Sequence, residues 1–216
     1  MLSLGLLGLL TAPMLSQAQP ATNSSSAARS GADTVLVVGD SLSAEYGLKR
    51  GTGWVALLEE KLRTEKPAVK VVNASISGDT TAGGRARLTA LLNQHKPSIV
   101  IIELGANDAL RGLALEATKQ NLLAMTRAAQ KSKARVLLVG MQVPPNYGGA
   151  YSETFASLFP NVAKTTHSAL LPFLLKNVAD IEDTSKLFQS DRIHPNEDAH
   201  PIILANVWPE LRKLFK

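Results

Sequence analysis

The sequence predicts a single three-layer α/β domain, in which helices cover both faces of a parallel sheet. Five short apolar runs recur along the chain, and their apolar character is continuous rather than alternating, which is typical of strands buried on both faces. Segments with helical periodicity separate these runs. The length of 216 residues, of which 45% are hydrophobic and 19% charged, suits one sizeable core.

The N-terminal residues 1–18, MLSLGLLGLLTAPMLSQA, are predicted to be a signal peptide. The stretch is apolar, is too short to span a membrane comfortably, and ends in Ser16-Gln17-Ala18, which suits signal-peptidase cleavage. Its n-region is atypical, because no Lys or Arg precedes Arg29. Residues 19–33 are rich in Ser, Ala and Asn and are predicted to be a flexible lead-in. The domain is therefore expected over residues 34–216, in a periplasmic or secreted protein without stable membrane insertion.

The strands and helices are predicted to alternate along this domain. The strands are residues 35–39 (VLVVG), 69–74 (VKVVNA), 98–105 (SIVIIELG), 135–141 (RVLLVGM) and 169–174 (ALLPFL). The helices, where apolar residues recur every three or four positions, are residues 54–62, 84–94 and 114–132, and a last one from about Pro201. A weaker helical pattern over residues 151–168 is expected to be broken by Pro160.

Polar residues and glycines that could form a catalytic site follow the first three predicted strands. This position matters because ligands bind beyond the carboxyl ends of the strands in such sheets. The segments are Gly-Asp-Ser-Leu-Ser (39–43), Asn-Ala-Ser-Ile-Ser-Gly-Asp-Thr-Thr (73–81) and Gly-Ala-Asn-Asp (105–108), joined near the C-terminus by Asp191-Arg192-Ile193-His194-Pro195-Asn196. Together they offer the groups that serine-dependent ester hydrolysis needs.

Ser41 is the candidate nucleophile, His194 the base that takes its proton, and Asp191 the group that holds His194 in the correct tautomer. The backbone N–H of Ser41 lies at a strand-to-helix turn, where it can bind the oxyanion. Gly78 allows a second amide to approach the substrate, and Asn107 adds a side-chain N–H. The sequence therefore predicts an oxyanion hole formed by Ser41, Gly78 and Asn107.

Each of these residues also has an ordinary structural explanation. Ser41 can cap a helix, Gly78 can serve only a turn, Asn107 and Asp108 can cap the next helix, and His194 can be a surface-loop histidine. The coincidence of four complementary chemical types at one edge of the sheet favours catalysis.

Other chemistries are less well supported. The nucleophile elbow Gly-x-Ser-x-Gly is absent, because Ser43 stands where its second glycine belongs. Asp191, His194, Asp198 and His200 could gather a metal, but Pro195 and Pro201 constrain the segment and no second ligand cluster accompanies it, so no metal is expected. No glycine-rich phosphate fingerprint opens the first helix. Nucleic-acid binding is not expected despite the net charge of +5, because no basic run exceeds two residues.

The blocks Gly-Asp-Ser-Leu-Ser, Ser-Gly-Asp-Thr around Gly78, Gly-x-Asn-Asp and Asp-x-x-His-Pro resemble the SGNH (GDSL) hydrolase family. The stretches GDSLSAEYG, VVNASISGDTT, ELGANDALRG, PPNYGGAY and IHPNEDA are similar to its bacterial thioesterase I, lysophospholipase and arylesterase subgroup. The resemblance implies a flavodoxin-like sheet of order 2-1-3-4-5, a triad of Ser41, Asp191 and His194, and no cofactor. Ala106 departs from the family pattern, where a second glycine often precedes the asparagine.

The resemblance also implies a serine esterase that hydrolyses aryl esters, acyl thioesters and lysophospholipids through an acyl-enzyme. In this subgroup the loop at Asp108 to Gly112 closes over an acyl chain, which makes Leu110 its apolar contact. Pro145 and Tyr147, in a glycine-rich loop after the fourth strand, are expected to form the other wall, unless that segment is an ordinary surface loop. The expected partner is a small-molecule acyl ester or thioester, and the protein is expected to be a monomer. A lipid-binding module without activity and an acyltransferase remain alternatives.

Overall fold

A computed structural model of the chain describes residues 1–2 and 33–215. Apart from the first two residues and Asp33, the predicted signal peptide and lead-in lie outside the described residues. Ala32–Lys216 form one compact unit. Within the part of the chain that is described, no helix is long and apolar enough to cross a membrane.

Within residues 33–215, five parallel strands form one sheet in the order β2-β1-β3-β4-β5, which confirms the predicted fold class and strand order. The strands are β1 (Thr34–Gly39), β2 (Lys70–Asn73), β3 (Ile99–Glu103), β4 (Arg135–Val139) and β5 (Ala169–Leu171). The apolar side chains of β1 and β3 are fully buried, as expected of central strands covered on both faces. The residues that directly follow β1 and β3 are therefore anchored to two buried strands.

Among the described residues, six α-helices cover the two faces of the sheet. They are α1 (Trp54–Glu65), α2 (Thr81–His95), α3 (Ala106–Leu110), α4 (Leu115–Lys131), α5 (Gly149–Thr166) and α6 (His200–Arg212). The helices α1 and α6 pack against each other on one face, while α4 packs between α2 and α5 on the other. The short helix α3 was not predicted, because its five residues are too few to show a helical period.

The last two strands end earlier than their apolar runs predict. The prediction extends the fifth strand to residue 174, but β5 ends at Leu171, because Pro172 has no backbone N–H for a sheet hydrogen bond. The chain then turns around Gly140, whose N–H donates to the carbonyl of Leu171 and whose own carbonyl accepts from Leu174 N–H. The prediction extends the fourth strand to residue 141, but β4 ends at Val139, and a side chain at position 140 would meet the carbonyl oxygen of Pro172.

The predicted break at Pro160 is wrong, because α5 continues through it from Gly149 to Thr166. A proline inside a helix costs about 3 kcal/mol, since it removes one hydrogen bond and crowds the preceding turn. Phe155 and Phe159 are completely buried, with their rings edge to face at 5.4 Å. Burial of two aromatic side chains offsets the cost of the proline.

His200 joins the two helices on the first face. It is almost fully buried, and its Nδ1 accepts a hydrogen bond of 3.0 Å from the backbone N–H of Trp54, the first residue of α1. Burial lowers the pKa of His200 below its ordinary value of 6.5, although Glu45 and Glu197 oppose the shift. The neutral imidazole therefore caps α1.

Replacement of His200 by leucine is expected to lower the free energy of unfolding by about 1–3 kcal/mol at pH 7, because the N–H of Trp54 loses its buried acceptor. In the wild type, His200 takes up a proton below about pH 6.5 more readily in the unfolded chain than in the folded protein. The stabilisation that neutral His200 provides above that pH is therefore lost as the pH falls. The variant lacks this contribution and is expected to depend less on pH. Urea unfolding at several pH values measures both effects. The control is His167→Asn, at an exposed position with positive φ. If the free energy of unfolding depended equally on pH in all three proteins, the role of His200 would be refuted.

Candidate active site

The carboxyl ends of β1 and β3 lie side by side, with Gly39 in register with Glu103. At this point the strand order reverses, and open α/β sheets bind ligands there. Ser41 follows β1 in a tight turn, in which the N–H groups of Ser43 and Ala44 donate to the carbonyl of Asp40. Asn107 follows β3 within α3. The fold therefore brings two of the predicted site residues to the same edge of the sheet.

Ser41, His194 and Asp191 form a continuous chain of hydrogen bonds. The Oγ of Ser41 lies 2.9 Å from Nε2 of His194, and Nδ1 of the same ring lies 2.7 Å from Oδ2 of Asp191. In this arrangement Asp191 can hold the proton on Nδ1, which leaves Nε2 free to accept the hydroxyl proton of Ser41. The geometry is that of a serine nucleophile with an oriented general base.

A compact turn makes the Asp191–His194 contact. Oδ1 of Asp191 accepts hydrogen bonds from the N–H groups of Ile193 at 2.9 Å and His194 at 3.0 Å, and Arg192 between them has a positive φ of 58°. Although burial opposes the shift, these backbone hydrogen bonds and the imidazole of His194 lower the pKa of Asp191 to about 2. The carboxylate therefore stays ionised over the whole range in which an esterase works.

Two predicted oxyanion residues are held by neighbouring loops. Gly78 has a φ of +78°, which only glycine adopts without strain, and its carbonyl accepts a hydrogen bond of 2.8 Å from the guanidinium of Arg111. Asn107 donates from Nδ2 to Oδ2 of Asp40 at 3.0 Å. The first contact joins the loop after β2 to the segment after α3, and the second joins α3 to the turn that carries Ser41.

Asp108 caps an earlier helix rather than the one that follows it. Its carboxylate accepts from the backbone N–H of Thr81 at 2.8 Å and from the Thr81 hydroxyl, and a third hydrogen bond of 3.2 Å comes from Thr118. Thr81 is the first residue of α2, so Asp108 satisfies that helix terminus. The alternative in which Asn107 and Asp108 cap the next helix is therefore wrong for Asp108.

Sequence reasoning missed Tyr46, which packs on the ring of His194. The two ring centroids are 4.4 Å apart, at an interplanar angle of 41°, while 49% of the Tyr46 residue stays exposed. The side-chain amide of Gln189 donates to the carbonyl of Tyr46 at 2.9 Å. An aromatic residue in the turn after the candidate nucleophile is a signal that could have indicated this contact.

The expected acyl-binding residues lie on two adjoining segments. Leu110 is the last residue of α3 and is half-buried. Pro145 and Tyr147 belong to a short 3₁₀ turn after β4, and Tyr147 is 38% exposed. The ring of Tyr147 stacks on Tyr151 with centroids 6.5 Å apart, and the hydroxyl of Tyr151 donates to the carbonyl of Ala109 at 3.0 Å. The turn after β4 is therefore joined to α3.

A cavity of about 480 Å³ lies elsewhere, between α1 and the edge strand β2. Its lining includes Glu45, Glu59 and Asn73 but neither Ser41 nor Leu110 nor Tyr147. We attach no catalytic role to this cavity, because it does not reach the serine hydroxyl. Among the described residues, no group of three or more His, Asp or Glu side chains could hold a metal ion.

Comparison with known proteins gives one family and several named relatives. The model of the GDSL-like Lipase/Acylhydrolase family matches residues 37–202. The chain is 50% identical to "Esterase TesA" of Pseudomonas aeruginosa over 184 residues, which cover 85% of this chain and 90% of that protein. It is 43% identical over 183 residues to "Thioesterase 1/protease 1/lysophospholipase L1" of Escherichia coli K12, with 85% of each chain covered.

A solved structure is also similar. The psychrotrophic esterase EstA from Pseudoalteromonas sp., in a structure described as inhibited by monoethylphosphonate, superimposes with a TM-score of 0.78 at 41% sequence identity. The match covers 84% of this chain and 97% of that one.

Proposed function

Because the chain belongs to the GDSL-like lipase/acylhydrolase family, we propose that it is a serine esterase and thioesterase that forms an acyl-enzyme on Ser41. Relatives named as an esterase and as a thioesterase and lysophospholipase support the activity. The observation that carries the catalytic assignment is the imidazole of His194, which lies within hydrogen-bond distance of both the Ser41 hydroxyl and the Asp191 carboxylate. No metal or cofactor enters this chemistry.

In the first half-reaction, His194 Nε2 takes the proton of the Ser41 hydroxyl while Oγ bonds to the carbonyl carbon of the substrate. The tetrahedral adduct then collapses, and the bond to the leaving oxygen or sulfur breaks. His194 gives its proton to that oxygen or sulfur, which departs as the alcohol or thiol, and the acyl group stays on Ser41. Asp191 remains ionised throughout, because its pKa is lowered to about 2 by the hydrogen bonds it accepts from the turn, which outweigh the opposing effect of burial.

In the second half-reaction, a water molecule gives a proton to His194 and attacks the acyl carbon. The acid leaves, and Ser41 regains its proton from the imidazole. During both steps the negative charge on the carbonyl oxygen is bound by the N–H groups of Ser41, Gly78 and Asn107. Loss of one such donor typically lowers kcat by about 10²–10³-fold.

The acyl chain of the substrate lies between α3 and the turn after β4. Leu110 forms one apolar wall, and the 3₁₀ turn that contains Pro145 and Tyr147 forms the other. The contacts that support this assignment are the stacking of Tyr147 on Tyr151 and the hydrogen bond from Tyr151 to Ala109, because they hold the two walls together beside Asn107. Apolar walls of this kind select substrates by chain length.

Replacement of Tyr147 by serine is expected to lower kcat/KM for an octanoyl ester by about tenfold and for an acetyl ester by less than about twofold, because only the longer chain reaches the lost ring. Tyr147→Phe keeps the ring and serves as the control. Rates for p-nitrophenyl acetate and octanoate, measured side by side, give the comparison. An equal loss on both esters would mean that Tyr147 does not contact the acyl chain.

The activity itself is tested with p-nitrophenyl esters of two to sixteen carbons and with acyl-coenzyme A thioesters of the same lengths. Both classes are expected to be hydrolysed, with a maximum at one chain length. A well-folded protein that is inactive on every member of both series would contradict the proposed function and would favour a lipid-binding role.

We also propose that the protein acts outside the cytoplasm, on small-molecule esters or thioesters, as a monomer. The support for export is the apolar N-terminal sequence, which lies outside the described residues beyond its first two.

A further inference from the structure

Asp40 is a buried carboxylate beside the nucleophile that the mechanism above does not use. Only 1% of the residue is exposed. Its Oδ1 accepts a hydrogen bond of 3.0 Å from the N–H of Leu42, and its Oδ2 accepts one of 3.0 Å from the side-chain amide of Asn107. Both oxygens of a buried side chain are therefore engaged by the two loops that carry candidate oxyanion donors.

The contact with Asn107 decides which end of the amide faces the site. An asparagine side chain has a nitrogen and an oxygen end of nearly the same size, and the two ends can exchange by rotation of the amide. An ionised carboxylate only accepts hydrogen bonds, so it pairs with the nitrogen end. The amide nitrogen then has a second hydrogen to offer to the substrate oxygen, whereas the reversed amide would put an acceptor where a donor is needed.

We propose that Asp40 is a positioning residue of the oxyanion hole, which fixes the amide of Asn107 so that its nitrogen, and not its oxygen, serves the oxyanion. The inference rests on the proposed function, because it needs Asn107 to bind the oxyanion. Asp40 touches no substrate and acts only through Asn107.

The groups that contact Asp40 favour its ionised form over its protonated form. Glu103, which is fully buried, accepts hydrogen bonds from the Ser43 hydroxyl at 2.7 Å and from the N–H of Asp40 at 3.3 Å. Burial raises the pKa of Glu103 well above its ordinary value, and the nearby carboxylate of Asp40 raises it further. Burial also raises the pKa of Asp40, but only to about 6, because the hydrogen bonds from Leu42 and Asn107 and the imidazole of His194 lower it.

Burial and the neighbouring carboxylate therefore favour the neutral form of Glu103, while the hydrogen bonds to Asp40 favour its ionised form. Asp79, in the loop after β2, adds a repulsive charge toward Asp40, but its carboxylate is paired with Arg87 at 2.8 Å. The second oxygen of Glu103, Oε1, has no hydrogen-bond partner among the described residues, as suits a neutral group better than a charged one. Within this buried pair, the surroundings therefore favour the negative charge on Asp40, the residue that contacts Asn107.

The test is Asp40→Asn, which keeps the size of the side chain and can still accept from Leu42 with its oxygen. Its nitrogen then faces the nitrogen of Asn107, and the amide of Asn107 has to reverse. We expect kcat to fall by about 10²–10³-fold with KM little changed, which is the loss typical of a missing oxyanion donor. Glu103→Gln is the matched control in the same buried cluster, and it is expected to keep kcat within about threefold because the glutamine oxygen can still accept from the Ser43 hydroxyl and the N–H of Asp40.

A double-mutant cycle separates positioning from a merely structural effect. Asn107→Ala is expected to lower kcat by about the same factor as Asp40→Asn, and the double variant to lose less than about threefold more than Asn107→Ala alone. Losses that multiply would overturn the inference, because Asp40 would then act independently of Asn107. Full activity of Asn107→Ala would instead remove Asn107 from the oxyanion hole, and the fault would lie in the proposed function.

A measurement on the wild type keeps the inference testable if Asp40→Asn does not fold. The side-chain amide protons of Asn107 can be identified by nuclear magnetic resonance as the pair that is missing in Asn107→Ala. We expect slow exchange with solvent for the Asn107 amide proton that is hydrogen-bonded to Asp40. Rapid exchange of both protons in the folded protein would overturn the proposal.

Discussion

Replacement of Ser41 by alanine is expected to lower kcat for ester hydrolysis by at least about a thousandfold, since the variant lacks the hydroxyl that lies beside His194. The structure gives no reason for misfolding, because the side chain of Ser41 is only half-buried and its recorded side-chain contact is with His194. The turn around it is held by backbone hydrogen bonds to Asp40 and by the carboxylate of Asp40. Turnover of p-nitrophenyl butyrate and circular dichroism of the same sample give the comparison.

Ser43→Ala is the matched control for this variant. Ser43 lies two residues farther along the same turn, and its buried hydroxyl donates to Glu103 rather than to His194. Its loss is expected to lower the free energy of unfolding by about 1 kcal/mol and to leave kcat within about threefold. If Ser43→Ala were the inactive variant and Ser41→Ala the active one, the nucleophile would be wrongly assigned.

Replacement of Asp191 by asparagine is expected to lower kcat by about 10³–10⁴-fold while the turn keeps its shape. The new amide oxygen can still accept from the N–H groups of Ile193 and His194. Its nitrogen then faces Nδ1 of the imidazole, which must become the acceptor. The ring proton moves to Nε2, and His194 can no longer take the proton of Ser41.

Steady-state kinetics at pH 8 on p-nitrophenyl butyrate measure this loss. Asp183→Asn is the control, because Asp183 also accepts hydrogen bonds within its own turn, from the N–H and hydroxyl of Ser185. It is expected to keep full activity. An Asp191→Asn variant that retains kcat within about tenfold would show that the tautomer of His194 is not set by Asp191.

The sheet and the four site segments could be predicted because each rests on a local pattern. Fully buried strands such as β1 and β3 are continuous apolar runs, and the residues after parallel strands must meet at one edge. The strand order came from the resemblance of the motifs to a family, and it is confirmed. The structure brings Ser41, His194 and Asp191 within hydrogen-bond distance, while their catalytic roles stay a prediction.

Other features depend on contacts between distant parts of the chain and have no local signal. The continuation of α5 through Pro160 depends on buried aromatic packing, which local helix propensity does not contain. The contact of Asp40 with Asn107 spans 67 residues, and that of Ser43 with Glu103 spans 60. The sequence shows that Asp40 precedes the candidate nucleophile, but it does not show which side chain forms a hydrogen bond with its carboxylate.

The most direct test of the central claim is to locate the covalent adduct that an activated-serine reagent leaves on the protein. The protein is treated with an alkyl p-nitrophenyl phosphonate, digested, and analysed by mass spectrometry of the peptides. We predict one phosphonyl group per chain, attached to Ser41, with reaction slowed by at least about a hundredfold in Asp191→Asn because the base is then in the wrong tautomer. A stoichiometric adduct on any other residue, or an active enzyme that the reagent does not modify, would contradict catalysis through Ser41.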